Sequence, residues 1–178
     1  LPLYSGFFYE KPFGKNESLS FSARRSYIDT FIKKAFKEQG TFVVPVFADS
    51  HLQYLKKRPS GTTKFLLLGS YDGLQLSTPT GGASDDGKLK FDISSRFANI
   101  GIQHKEKISK EWNYTFTPHS IYTKFNTDVQ DSYVNIEGPS IRIPVEYTKR
   151  ISRQEKLYLG SKIIYSQVKV KVLAPRVV

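Results

Sequence analysis

Apolar and polar residues alternate along most of this 178-residue chain. Ile141, Ile143, Val145 and Tyr147 take one parity, while Arg142, Glu146 and Thr148 take the other. Trp112, Tyr114, Phe116, Pro118 and Tyr122 alternate with Asn113, Thr115, Thr117 and His119. Val44, Val46, Ala48, Leu52 and Tyr54 oppose Asp49, His51 and Gln53. Phe65, Leu67, Gly69 and Tyr71 oppose Lys64, Ser70 and Asp72, although Leu66 and Leu68 spoil that polar side. Leu19, Phe21 and Ala23 oppose Ser18, Ser20 and Ser22. A period of two is the mark of a strand with two different environments on its faces. The pattern predicts strands over about 4–11, 17–29, 43–56, 62–77, 88–104, 111–125, 140–149 and 157–173.

Two of these strands change phase. Phe91, Ile93 and Phe97 are odd, whereas Ala98, Ile100 and Ile102 are even; Leu157, Leu159, Ile163 and Tyr165 give way to Val168, Val170 and Val172. A one-residue slip moves every side chain to the other face, so the expectation is a bulge, or a strand that leaves a membrane part-way along.

Short basic turns recur at near-even intervals around Phe13, Pro59, Lys107 and Ser152. Longer polar or acidic stretches lie between them, around residues 30–42, 72–87 and 126–138. Tight turns at one end and long loops at the other are the layout of an outer-membrane β-barrel. Ser26 to Gln39 is the one helical candidate, open equally to a loop helix or an extension of the second strand: Tyr27, Ile28, Phe31, Ile32, Ala35 and Phe36 have helical spacing, and Gly40 would stop it. Ser77–Gly87 reads as an exposed loop.

Composition narrows the picture. Hydrophobic residues are 39% of the chain and aromatics 14%, with eleven tyrosines. A modest apolar total rich in aromatics suits a barrel in which one strand face meets lipid, and suits equally a β-domain that binds sugar or nucleic acid. The chain has no Cys, which excludes disulfides and thiolate metal sites. It has no apolar run long enough for a transmembrane helix. The net charge of +11 admits nucleic acid, anionic headgroups or lipopolysaccharide phosphates as partners.

Catalytic patterns are missing. His51, His104 and His119 stand apart, with no spacing that supplies two metal ligands from one element. Asp85–Asp86 lacks the spacing of a calcium loop. There is no nucleophile elbow and no phosphate loop. The expectation is no enzyme, no metal and no cofactor. For nucleic acid, Lys56-Lys57-Arg58 and Lys149-Arg150 are suitable in type, but the cations gather at turns and the aromatics on strand bodies, so nucleic acid is not the favoured partner. Tyr54, Trp112, Tyr147 and Tyr158 are placed as membrane-interface aromatics. Tyr27, Asp29, Tyr71, Asp72, Asp85, Asp86, Asp128 and Asp131 are placed as exposed loop residues able to contact a ligand.

Residues 6–29, GFFYEKPFGKNESLSFSARRSYID, resemble the early barrel of TonB-dependent outer-membrane receptors, and residues 65–76, FLLLGSYDGLQL, resemble a later strand of the same barrels. The resemblance implies an all-β fold, an antiparallel up-and-down transmembrane barrel of the bacterial outer membrane, and transport of a scarce ligand. It implies three kinds of partner: outer-membrane lipid and lipopolysaccharide, the remainder of the barrel or a partner chain, and an inner-membrane energy-coupling complex reached through a plug. The family has about twenty-two strands. This chain has room for about eight, with no plug or coupling box recognised, so residues 1–178 are expected to be one barrel segment, with a closed eight-stranded barrel as the structural alternative. A structural barrel component without transport, and a soluble basic β-domain that binds nucleic acid or glycan, are the alternatives.

Overall fold

The computed structural model describes residues 4–35, 42–79, 88–130 and 132–174. It is all-β and antiparallel, with one short helix. The strands are β1 (Tyr4–Phe13), β2 (Glu17–Ser26), β3 (Phe42–Arg58), β4 (Gly61–Pro79), β5 (Lys88–Lys107), β6 (Trp112–Phe116), β7 (His119–Val129), β8 (Ser132–Arg150), β9 (Lys156–Ser166) and β10 (Lys169–Leu173). They form one sheet in sequence order, with β6 and β7 between β5 and β8, and β9 and β10 together on the far edge.

Two of the strand breaks are gaps in hydrogen bonding and leave the register unchanged. β6 and β7 pair with β5 and β8 as one strand, and Ile102 N still donates to Pro118 O across the gap. Pro118 has no N–H to give, which is why the ladder lapses there. β9 and β10 likewise continue one register along β8, with Gln167 N donating to Pro139 O. The described residues therefore form eight long strands, close to the eight read from alternation.

The expected bulges do not form. β5 keeps a single register against both β4 and β7 through the point where its apolar residues change phase. The acidic stretch 126–138 is not a loop either. Val129 pairs directly with Ser132, so only two residues connect β7 to β8, and Gln130 takes the left-handed φ of 51° that so tight a turn requires.

The helix α1 (Ile28–Ala35) starts where Ser26 Oγ accepts the Ile28 N–H at 3.3 Å, a side-chain cap on an otherwise orphan donor. Strand β2 thus ends three residues sooner than its predicted limit. The predicted residues 36–39 of the helix lie outside the described residues. The helix packs on β3, where Val44 is the one fully buried hydrophobic side chain among the described residues. Among the described residues nothing else forms a second layer. The accessible surface is 13162 Å², against about 8,800 Å² for a globular protein of this mass. The sheet presents both faces, and its composition must answer to whatever covers each of them.

Candidate membrane-facing surface

Residues paired across an antiparallel ladder lie on the same face, so the registers sort every side chain. The front face carries the row Tyr9–Phe21–Leu52–Leu67–Ile100–Ser120–Ile141–Tyr165, running through all eight long strands. One step toward the short turns lie Leu19, Tyr54, Phe65 and Ile102, with Ile143 paired to Ile163; Lys11 on the edge strand is the charged member of that row. One step the other way the row reads Phe7–Ala23–Ser50–Gly69–Ala98–Tyr122–Pro139, with Gln167 beside Pro139. All five alternations read from sequence put their apolar side on this front face.

The back face at the same height is mixed and more polar. Its rows include Phe8–Ser22–His51–Leu68–Asn99–Ile121–Ser140–Ser166 and Glu10–Ser20–Gln53–Leu66–Gly101–His119–Arg142–Ile164. Three such rows over eight strands make a front belt of about 700 Å², from a strand spacing of about 4.8 Å and a two-residue rise of about 6.7 Å. That exceeds the largest apolar patch usual on a soluble monomer, about 300–600 Å².

Further from the short turns the two faces exchange character. The front row becomes Ser5–Arg25–Ala48–Tyr71–Arg96–Lys124–Glu137–Lys169. Behind it the back row reads Phe47–Asp72–Ser95–Phe125–Ile136–Val170, then Pro45–Leu74–Ile93–Thr127–Val134–Val172. The phase changes of β5 and β9/β10 are this inversion. Ala98 and Gln167 stand in one front row and Phe97 and Val168 in the adjoining back row, so both strands switch in the same cross-strand row.

The belt is also slanted. Its residues on β3 run from Val46 to Tyr54 and on β9 from Leu157 to Tyr165, centred on Ser50 and Ser161. The position level with Ser50 on the last strand is Gln167, so the belt shifts six residues over five strand spacings. That is about 20 Å along the strands for about 24 Å across them, a slant of about 40°. Barrel strands tilt by about 35–45°. β1 and β2 do not continue the slant; their apolar positions lie level with those of β3 and β4, and the structure offers no reason for this.

Aromatic residues mark both borders. On the short-turn side Tyr54, Trp112 and Tyr147 share the front face with Tyr114; the Tyr114 ring lies 5.1 Å from Tyr147, and Lys149 Nζ stands 5.4 Å over the Trp112 ring. On the other side stand Tyr71, Tyr122 and Tyr165. Trp112 and Tyr122 are about 33 Å apart along one strand, which a 40° tilt reduces to about 25 Å of height. The apolar band of outer-membrane barrels is also about 25 Å. Tyr158 corrects the sequence placement: it pairs with Thr148 on the back face. Tyr114, Tyr122 and Tyr165 were missed as border residues because the level of each strand relative to the others is set by register.

The loop assignments fare less well. Tyr27 is exposed between β2 and α1, accepting a bond from Ser5 Oγ, with the Arg25 guanidinium 5.8 Å over its ring. Asp29 lies in the first turn of α1 and is buried. Tyr71 and Asp72 sit inside β4 and face opposite sides, and Asp128 sits inside β7. Asp85, Asp86 and Asp131 lie outside the described residues. The structure does not gather the others into one site. Among the described residues no cluster of His, Asp or Glu could hold a metal.

No family model, curated protein or solved structure matches the chain.

Proposed function

We propose that this sheet is an arc of a bacterial outer-membrane β-barrel similar to a TonB-dependent receptor, and that it serves uptake of a scarce ligand across that membrane. The observation that carries the reading is the front belt: mainly apolar, broken by Lys11, Ser50, Ser120 and Gln167, bordered by aromatics, about 25 Å high and slanted over most of its width by a barrel's tilt angle. Lipid would cover that face, and the more polar back face would line the lumen. Above the lipid the demands reverse, because the outer face meets water and headgroups while the inner face packs against what fills the mouth. An exchange of the two faces along a strand follows from that change of surroundings.

The lumen side favours a segment over a closed eight-stranded barrel. Lys64, Arg142 and Lys162 face it without an ion-pair partner among the described residues. An eight-stranded barrel has an interior only wide enough for side chains. Enclosing them there costs several kcal/mol each unless Glu10 and Glu146 of the same face pair with them across the lumen. A wide, wet lumen leaves them hydrated. β1 and β9/β10 would then be seams for further strands.

The test is the intact mass of the native protein after extraction of outer membranes in detergent without boiling. A mass several times 20.3 kDa, on one polypeptide or with a stoichiometric partner, supports the proposal. A stable 20.3 kDa species means a closed small barrel. Recovery in the soluble fraction without detergent removes the membrane reading altogether.

A further inference from the structure

Behind the belt, the back face holds a hollow of about 340 Å³ between β3, β4, β5 and the strand made of β6 and β7. Its floor is Gly101, flanked in its row by Leu66 and His119. A Cβ at Gly101 would lie 2.8 Å from that of His119, so a side chain there would close the space. The lining is otherwise polar: Gln53, Lys64, Asn99, Gln103, Thr117 and His119, with Leu66 the one apolar side chain that the back face gives it. Lys64 forms no ion pair among the described residues. From β2 to β7 the back face between Asp49 and the short turns carries Lys57, Lys64 and Lys105 and no carboxylate; Glu10 and Glu146 stand on the flanking strands β1 and β8. His119 Nδ1 lies 3.0 Å from the Thr117 carbonyl oxygen, which can only accept. The neutral ring therefore carries its proton on Nδ1, and Nε2 keeps a lone pair.

We infer that this hollow binds a small hydroxylated carboxylate, an aldonate or another hydroxy acid of similar size. Its volume is that of small-molecule sites, about 300–1,000 Å³. Lys64 matches an anionic group, and a hydrogen bond to a charged partner is about twice as strong as a neutral one. The amides of Gln53, Asn99 and Gln103 both donate and accept, and His119 Nε2 only accepts. These acceptors need hydroxyl donors on the ligand, which an anion such as sulfate does not have. Leu66 alone gives too little apolar surface for an aromatic or acyl ligand. The adjoining hollow on the same face, around Ser70, has no such free charge, because Arg24 and Asp49 hold each other at 3.0 Å. That this carboxylate is the ligand taken up rests on the membrane reading above; its binding to the hollow does not.

The test uses the native protein, with the strands that complete its barrel, in detergent, and compares gluconate with sorbitol by equilibrium dialysis. The two share one hydroxylated carbon chain and differ at one end, which is a carboxylate in gluconate and a hydroxymethyl group in sorbitol. Gluconate is expected to bind about tenfold or more tightly than sorbitol. Lys64→Gln removes a hydrogen bond to a charged group, so it should weaken gluconate by about tenfold and leave sorbitol unchanged. Gln103→Leu removes a neutral one and should weaken both by about fivefold. Assembly of each variant is checked by protease protection, and Gln103→Leu decides where Lys64→Gln does not assemble. Equal binding of gluconate and sorbitol, binding of neither, or unchanged gluconate binding by an assembled variant overturns the site. Displacement of gluconate by sulfate at equal concentration makes the hollow a simple anion site and overturns the hydroxy-acid assignment. Recovery of the native protein without detergent removes the membrane reading, and the same dialysis in buffer still decides the hollow.

Discussion

Leu67 and Leu68 are neighbours on β4 with the same side chain and opposite faces, which makes them a matched pair. Leu67 is 43% exposed in the middle of the front belt, between Leu52 and Ile100. Leu68 lies on the more polar back face, between His51 and Asn99. In a soluble sheet with both faces in water, Leu67→Arg and Leu68→Arg would each change stability by about 0.5 kcal/mol or less. In a bilayer, arginine at the midplane of the lipid-facing side costs about 2–4 kcal/mol, while the lumen side tolerates it. The difference is about thirtyfold to several hundredfold in the folding equilibrium. Urea titration of the native protein, with the strands that complete its barrel, in phosphatidylcholine vesicles measures it, with protease protection as the readout. The expected result is a large loss for Leu67→Arg and a small one for Leu68→Arg. Equal losses refute the assignment of faces, and a larger loss for Leu68→Arg reverses it.

Other expectations follow from particular contacts. A Cβ at Gly138 would overlap the backbone carbonyl of Gln167, whereas the nearest atom to one at Gly160 is 3.5 Å away. Gly138→Ala should therefore cost about 1–3 kcal/mol and Gly160→Ala much less, both read from urea midpoints. Ser26→Ala removes the cap on α1 and should cost about 1 kcal/mol locally, seen as faster amide exchange from Ile28 to Phe31 with little change in the sheet. Lys149→Ala removes the cation over Trp112 and should lower stability by about 0.5–1 kcal/mol and shift Trp112 emission, while leaving insertion intact.

The sheet was largely legible because each strand announces its own period of two. Leu19–Ala23, Val44–Tyr54, Phe65–Tyr71, Trp112–Tyr122 and Ile141–Tyr147 were each read in isolation, and register later put all five on one face. Two kinds of information were not local. The polar run at 126–138 resembled a loop because Asn126, Asp128, Asn135 and Glu137 dominate it; yet Phe125, Val129, Val134 and Ile136 keep the alternation with the faces exchanged. The phase changes at Phe97–Ala98 and Tyr165–Val168 left a bulge and a strand leaving a membrane both open, since nothing in one strand says that its neighbours switch in the same cross-strand row. The same limit explains Tyr158, whose parity differs from that of Leu157 and Leu159 although its position near a turn resembles theirs. The ligand-contacting loop residues were chosen by residue type alone, and type does not distinguish Tyr71 within a strand from Tyr27 beyond one.

The most direct measurement of the central claim exploits the absence of cysteine. Single cysteines placed in turn from Leu66 to Leu76 along β4 would carry a nitroxide label in vesicles, and its relaxation would be compared with dissolved oxygen and with a water-soluble nickel chelate. Lipid contact predicts high oxygen and low chelate access at Leu67 and Gly69, the reverse at Leu66 and Leu68, and loss of the oxygen-rich positions beyond Tyr71. Equal chelate access at Leu67 and Leu68 would contradict the claim that the front belt is covered by lipid.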